Sequence, residues 1–523
     1  MNKLLQYIFS FFIILCTVEL NAAPADAPQR QRGEGPFERL ILRGVTLING
    51  EGAPARGPVD IVIEGNVITQ IQSVGSPGVP IVGNRPKAEA GDKVLELEGH
   101  YVFPGFVDMH GHIGNSAQVT TAEYTYKLWL AHGITTVREP GSFNGADFTL
   151  NQVRKSQKNQ ITAPRIIPYF GFGLGETAPI SDAEKARSWV KKIAKKGARG
   201  IKFFGTHPDI FSAAVDEARK RGLRTMMHHA QLDVAHLNAM DSARIGLTSM
   251  EHWYGLPEAM FTDQVIQNYP IDYNYNNEQH RFSEAGKLWL QAALPGSVKW
   301  NTVRDELIGL DFTINPTLTI YEANRDLMRE KNADWHAEYT LPGLWEFFTA
   351  SRYTHGSYHF DWTTQEEINW KNNFRRWMTF LNDYKNHGGR VTTGSDSGYI
   401  YKIYGFGFVR ELELLQEAGF HPLEVMQSAT IKGAEALGMD HQIGSVSVGK
   451  LADLVISKEN PLQNFKTLYG TGFTRLNDDN NLVKVGGVKY TIKDGIIFDA
   501  SQLLADVRAI VKNEKDKQIK KGK

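Results

Sequence analysis

The chain divides by texture. From residue 40 onward, short β-branched runs at 40–42, 45–48, 59–63 and 67–71 alternate with turn residues, notably Gly50, Gly65-Asn66 and Gly75. Runs at 94–97 and 101–103 follow, and together these predict a small antiparallel sheet. The same texture returns at 452–456, 483–485, 488–490 and 495–498. Strands at both ends around a long βα region predict one small domain assembled from both ends of the chain. Between the ends, strand-like runs at 133–137, 165–169, 200–204, 224–229, 247–252, 313–320 and 390–395 take turns with helical stretches at 121–132, 182–196, 208–221 and 234–245. Strand and helix in strict turn imply parallel strands with right-handed crossovers, and eight such units close a (β/α)8 TIM barrel. The fold class is α/β.

Two connections, 255–311 and 322–389, are longer than a barrel needs. The second is crowded with aromatics, and residues 366–386 read as one amphipathic helix within it. Most of those rings are predicted to form a helical layer against the barrel and a minority to line a pocket. After residue 500 the chain turns helical and then lysine-rich, with 512–523 a solvated tail.

At 523 residues the chain exceeds one ordinary domain, which suits a barrel with a satellite. Lys plus Arg equals Asp plus Glu at 58 each, so nothing in the charge points to nucleic acid or to a strongly acidic partner. Lys3, an apolar run over 4–18 and Ala22-Ala23 form the three parts of an export leader, and the run is short for a spanning helix. The single cysteine, Cys16, lies inside it. The mature protein is then periplasmic or secreted, without disulfides, and its metal ligands must be nitrogen and oxygen. Residues 23–36 read as a flexible leader.

The chemistry gathers at strand ends. His110 and His112 stand two apart after a Pro104-Gly-Phe-Val-Asp108 lead-in, so both rings can face one point. Lys202 lies mid-strand between large apolar groups, which is costly unless the amine is paired; the bland alternative is a surface lysine on a misread strand. In His228-His229 only one ring can face inward. Glu251-His252 closes the next strand, and Asp396 closes the last in Thr393-Gly-Ser-Asp396, where a plain turn aspartate is the alternative.

The segment Pro104-Gly-Phe-Val-Asp-Met-His-Gly-His112 resembles the first barrel strand of the amidohydrolase superfamily. Gly444-Ser-Val-Ser-Val-Gly-Lys-Leu-Ala-Asp-Leu-Val455 resembles the re-entry into that superfamily's small β-sandwich. Between the leader over 1–22 and the helical basic tail over 501–523, the resemblance implies a β-sandwich from 23–100 and 441–500 and a barrel over 101–440. It implies a ligand set of His110, His112, Lys202, His229, His252 and Asp396. His229 is selected over His228 because the family ends that strand in His-Ala. Glu251 is expected to face away from His252. Lys202 is implied to be carboxylated and to bridge two divalent ions, zinc by ligand type. Asp396 is the implied catalytic group, taking a proton from water and returning it to the leaving amine.

The one-metal deaminases of the superfamily, and imidazolonepropionase, usually carry a glutamate three residues after the fifth-strand histidine. Here Leu232 follows His229 and Gln231 follows His228, and neither titrates. Lys202 favours the binuclear branch. Gly133-Ile-Thr-Thr-Val-Arg138, Gly200-Ile-Lys202 and Met250-Glu-His252 look most like dipeptidases that cleave Xaa-Pro bonds and their amide-cleaving relatives. Arg138-Glu139-Pro140-Gly141 departs from that group's Arg-Asp-x-Gly. The expected activity is cleavage of an amide or peptide-like C–N bond in a small-molecule or dipeptide-like substrate. The alternatives are a hydrolase of cyclic amides, lactones or aromatic amides, and a barrel that binds without catalysis. No nucleic acid and, once the leader is gone, no membrane is expected; a homo-oligomer is compatible.

Overall fold

The computed structural model describes residues 24–81 and 84–521. The expected leader and Cys16 lie outside them. The chain opens with β1 (Arg39–Leu47), β2 (Arg56–Glu64), β3 (Val67–Ser73), β4 (Lys93–Glu96) and β5 (Tyr101–Pro104). Eight strands follow: β6 (Phe106–Asp108), β7 (Ile134–Gly141), β8 (Arg165–Gly171), β9 (Gly200–Phe203), β10 (Arg224–Met227), β11 (Ser249–Glu251), β12 (Thr313–Asn315) and β13 (Arg390–Val391). The chain closes with β14 (Leu454–Ser457), β15 (Phe473–Leu476), β16 (Leu482–Val485), β17 (Val488–Lys493), β18 (Ile496–Asp499) and a helix over Ala500–Lys521.

Strands β6 to β13 pair in sequence order, every pair parallel. The ends of that sheet meet. Met109 N donates to Thr393 O at 2.9 Å and Asp396 N to His110 O at 2.8 Å, so the chain after β13 is bonded to the chain after β6. Asp108 reinforces the seam by accepting from Ser395 N at 3.0 Å and Ser395 Oγ at 2.7 Å. The arrangement is that of a TIM-like barrel. Val107, Met109, Ile167, Tyr169 and Met226 pack into one buried cluster with the helix Ile431–Leu437.

Helix limits follow their caps. Asp182 accepts from Lys185 N ahead of Ala183–Lys196, and left-handed Gly197 ends that helix. The stretch 234–245 begins its helix only at Ala239, because Asn238 and Asp241 form a reciprocal capping box there. The strand expected over 313–320 is three residues long; Thr317 is left-handed and the chain turns into a short helix, Leu318–Tyr321.

Both chain ends enter one eight-stranded sheet, in the path β18-β17-β14-β5-β1-β2-β3 with β4 beside β1. It is mixed rather than antiparallel, since β4 and β5 both run parallel to β1. Residues 482–485 stay out of it and form a separate hairpin with β15. Arg165 ties this sheet to the barrel through ion pairs with Asp453 and Asp494.

The two long connections build a helical layer, chiefly Val298–Gly309 and Thr364–Asn386. Trp370, Phe374, Trp377 and Phe380 on the latter are fully buried. Trp377 and Trp370 each lie 5.9 Å from Trp253, centroid to centroid, at the end of β11. Such contacts make this layer a wall of the barrel mouth, and truncating one of these rings costs about 3–5 kcal/mol.

Candidate metal centre

The sequence-predicted residues fall at the C-terminal ends of the barrel strands, where loops rather than strands set side-chain direction. Four of those ends carry left-handed backbone at non-glycine residues: Ser142 (φ 54°), His252 (φ 61°), Thr317 (φ 48°) and Asp396 (φ 46°). This conformation costs about 1–3 kcal/mol per residue. At His252 it breaks the strand alternation, so Glu251 and His252 both reach the barrel interior.

His110, His252 and Asp396 each place a ligand atom within 4.8 Å of the others. Asp396 Oδ1 is 3.5 Å from His110 Nε2 and 3.3 Å from His112 Nε2, and its Oδ2 is 3.7 Å from His252 Nε2. Two of the far nitrogens are engaged. His110 Nδ1 meets Glu251 Oε2 at 2.7 Å, and His252 Nδ1 meets Thr317 Oγ1 at 2.5 Å. Glu251 is held in turn by Arg138 Nη2 and Asn315 Nδ2, both at 2.6 Å. The Nε2 atoms of His110 and His252 are therefore each aimed by a bond at the other side of the ring, the arrangement that prepares a histidine to bind a metal.

The fifth strand corrects the expectation. His229 does not join the others: its Nε2 meets Ser242 Oγ at 2.8 Å, on the helix Ala239–Ile245 outside the barrel. His228 does, with its ring 4.7 Å from that of His252. The reason is register. Met226 pairs with Lys202 and belongs to the interior cluster, and two residues on from Met226 the same face of the strand carries His228.

Lys202 is buried on β9, its amine 5.3 Å from the Phe204 ring. Burial lowers its pKa to about 8, with Glu251 and Asp396 pulling the other way. Burial also holds His110, His228 and His252 well below the ordinary imidazole range, which leaves them as neutral donors. His112 is the exception. Burial opposes its charge, but bonds to Asp396 and Glu139 push it up to about 9. Around the cluster stand Phe143, stacked on His112 at 5.5 Å, with Tyr254 5.7 Å from His228 and Tyr321 5.6 Å from His252.

The donor set fits divalent metal: ligand atoms of His110, His252 and Asp396 gather at one point, with His112 against Asp396 and the buried Lys202 amine under the charge of that carboxylate. Sequence reasoning missed the roles of Arg138, Glu251 and Thr317. Alternation from Ser249, whose hydroxyl accepts from Arg138 Nη1, would have sent Glu251 inward; Thr317 left no such signal.

A model of the Amidohydrolase family matches residues 101–274 and 375–497. The chain belongs to the amidohydrolase family. Among curated proteins the chain is similar to an adenine deaminase of Listeria monocytogenes serotype 4b (strain F2365), 26% identical over 276 residues, covering 47% of this chain and 45% of that one. The chain spans about half the length of the curated relatives it matches. The fold is shared with solved structures. A Xaa-Pro dipeptidase with bound methionine has a TM-score of 0.58 at 18% identity, covering 88% of this chain and 100% of that one. A bottromycin amidohydrolase has a TM-score of 0.61 at 18% identity, covering 91% and 90%.

Proposed function

We propose that this amidohydrolase cleaves the C–N bond of an amide or peptide-like substrate at a binuclear metal centre. The observation that carries the reading is the convergence of three imidazole nitrogens on Asp396, those of His110 and His252 aimed, with the buried amine of Lys202 under the charge of Asp396 and Glu251. His110, His112, His228, His252, Asp396 and Lys202 would hold two divalent ions, zinc by donor type. Such ions supply Lewis acidity, lowering the pKa of water and polarising a carbonyl. Asp396, drawn below the ordinary carboxylate range by His110 and His112 against the effect of burial, is ionised and able to accept the proton of the attacking water. It then returns that proton to the leaving amine. Lys202 near neutrality has the free amine that adds carbon dioxide, releasing one proton and leaving an anionic carbamate.

Deamination, the activity named for the Listeria relative, is the second reading. It is disfavoured because the position three residues after His228 is Gln231, which cannot titrate and whose Oε1 is taken by Arg281 Nε at 2.7 Å. Export of the mature chain from about residue 23 is part of the proposal, and an intact mass retaining Met1 in soluble cytosolic protein would exclude it.

The test is a hydrolysis screen of the zinc-loaded protein across dipeptides, N-acyl amino acids, cyclic amides, lactones and adenine. Release of amine from an acyclic amide is the expected result; turnover of adenine alone would replace the reading with deamination. Lys202→Ala should lose metal and activity together, with partial recovery in added short-chain carboxylates and none from Lys202→Arg. Full zinc and full turnover in Lys202→Ala would remove the carbamate.

A further inference from the structure

A second polar site borders the metal centre, built by the first long connection. On the helix Glu278–Ala285, Arg281 is almost wholly buried. Its Nε donates to Gln231 Oε1 at 2.7 Å, its Nη1 reaches Glu278 Oε1 only at 3.4 Å, and no described residue takes its Nη2. The guanidinium lies over the Tyr275 ring at 4.6 Å. Its charge acts on the phenols of Tyr254, Tyr273 and Tyr321, against the rise that burial gives each, and on His228.

The neighbours of this cation are buried polar atoms without partners. Gln231 Nε2 and the hydroxyls of Tyr254, Tyr269 and Tyr273 are all shut from solvent and make no hydrogen bond of ordinary geometry. Tyr269 and Tyr273 stack at 4.1 Å, so two of these hydroxyls stand side by side. Native interiors hold few such orphans; Arg281 acts on Tyr254 and Tyr273, and Tyr269 joins them through its stack on Tyr273, so these donors border a cation whose Nη2 is open. The nearby carboxylates each face another group, and Glu278 Oε2 is the one acceptor among them without a hydrogen bond of ordinary geometry. Glu278 stands 2.8 Å from His355, and Glu258 accepts from Gly255 N at 2.8 Å and Gln267 at 2.9 Å.

We infer that this pocket takes the free carboxylate of the substrate, on the Arg281 guanidinium, the Gln231 amide and the three tyrosine hydroxyls. A planar fork with one open edge suits a carboxylate, and Tyr254, whose ring is 5.7 Å from that of His228, joins the pocket to the metal centre. The substrate class narrows to amides that carry a carboxylate on the side away from the scissile bond, as in dipeptides and N-acyl amino acids. The inference rests on the amide-hydrolase reading for what the substrate is, but its test needs no turnover.

Sodium benzoate and benzamide are titrated into the zinc-loaded protein by calorimetry. The acid should bind about tenfold or more tightly than the amide, the discrimination expected of charge-assisted bonds. Arg281→Gln should abolish that preference while leaving benzamide unchanged. Tyr273→Phe, which keeps the ring stack, should weaken benzoate about threefold. Equal affinity for both probes, no binding of either, or a benzoate affinity that survives Arg281→Gln overturns the inference, the last placing benzoate on the metal. If Arg281→Gln fails to fold, judged by circular dichroism and zinc content, unchanged benzoate affinity in both Tyr273→Phe and Gln231→Leu overturns it. Benzoate held through Arg281 without amide turnover keeps this site and removes the amide-hydrolase reading; turnover indifferent to the carboxylate does the reverse.

Discussion

The metal centre and the Arg281 pocket adjoin, yet they treat their polar groups in opposite ways. At the centre, His110 leans on Glu251 and His252 on Thr317, so the rings are aimed before anything binds. In the pocket, Gln231 Nε2 and three phenols are buried with nothing to hold. Groups that do chemistry are oriented in advance, because misdirection by a fraction of an ångström costs rate. Groups that recognise a substrate are left unsatisfied, so that only the right ligand recovers their hydrogen bonds.

The contrast can be broken first at its reacting group. Asp396→Asn keeps the shape of the carboxylate and removes its basicity, so kcat on the best amide should fall about 10²–10⁴-fold. A loss confined to KM would show that Asp396 only positions. Next comes the histidine pair. His228→Ala should lose zinc, measured by elemental analysis. His229→Ala should keep it while losing the Ser242 contact, worth about 0.5–1.5 kcal/mol in thermal unfolding. The reverse pattern would restore His229 as the ligand. Glu251→Gln tests whether aiming matters and should cost about 10–100-fold in zinc affinity or turnover.

The smallest effect is a pH dependence. His112 is raised to about 9 in the fold, so its stabilisation is complete below the unfolded value near 6.5 and is lost as pH rises through about 9. Metal-free protein should therefore lose thermal stability between those limits. Zinc-loaded protein, in which the ring binds an ion rather than a proton, should lose less. Equal slopes for the two forms would separate His112 from the metal.

The barrel was legible because strict alternation of strand and helix admits few architectures, and β7 to β11 lie within a few residues of their predicted places. The mixed order of the other sheet was not, since the parallel pairing of β1 with β4 and β5 depends on residues some fifty positions away. At the site, His110 and His112 face one carboxylate as their spacing suggested, and His252 meets the same carboxylate, Asp396, where the resemblance put both. The choice within His228-His229 failed because wording was used where register decides: only the pairing of Met226 with Lys202 shows which ring turns inward. His252 was legible as a residue but not as a conformation, for no glycine marks its left-handed backbone. The Arg281 pocket was hidden in a connection whose aromatic and polar residues follow no period.

The seam between β5 and β14 has a consequence for how the molecule is made. β5 has β1 on one side and β14 on the other, with Val102 opposite Ile456. On a ribosome adding about 5–20 residues per second, β5 waits tens of seconds for that partner while the whole barrel is translated. During that interval it presents an open apolar edge, the kind of template on which nascent chains stick to one another. A chaperone that shields this edge should raise the yield of folded enzyme more than one that acts after release.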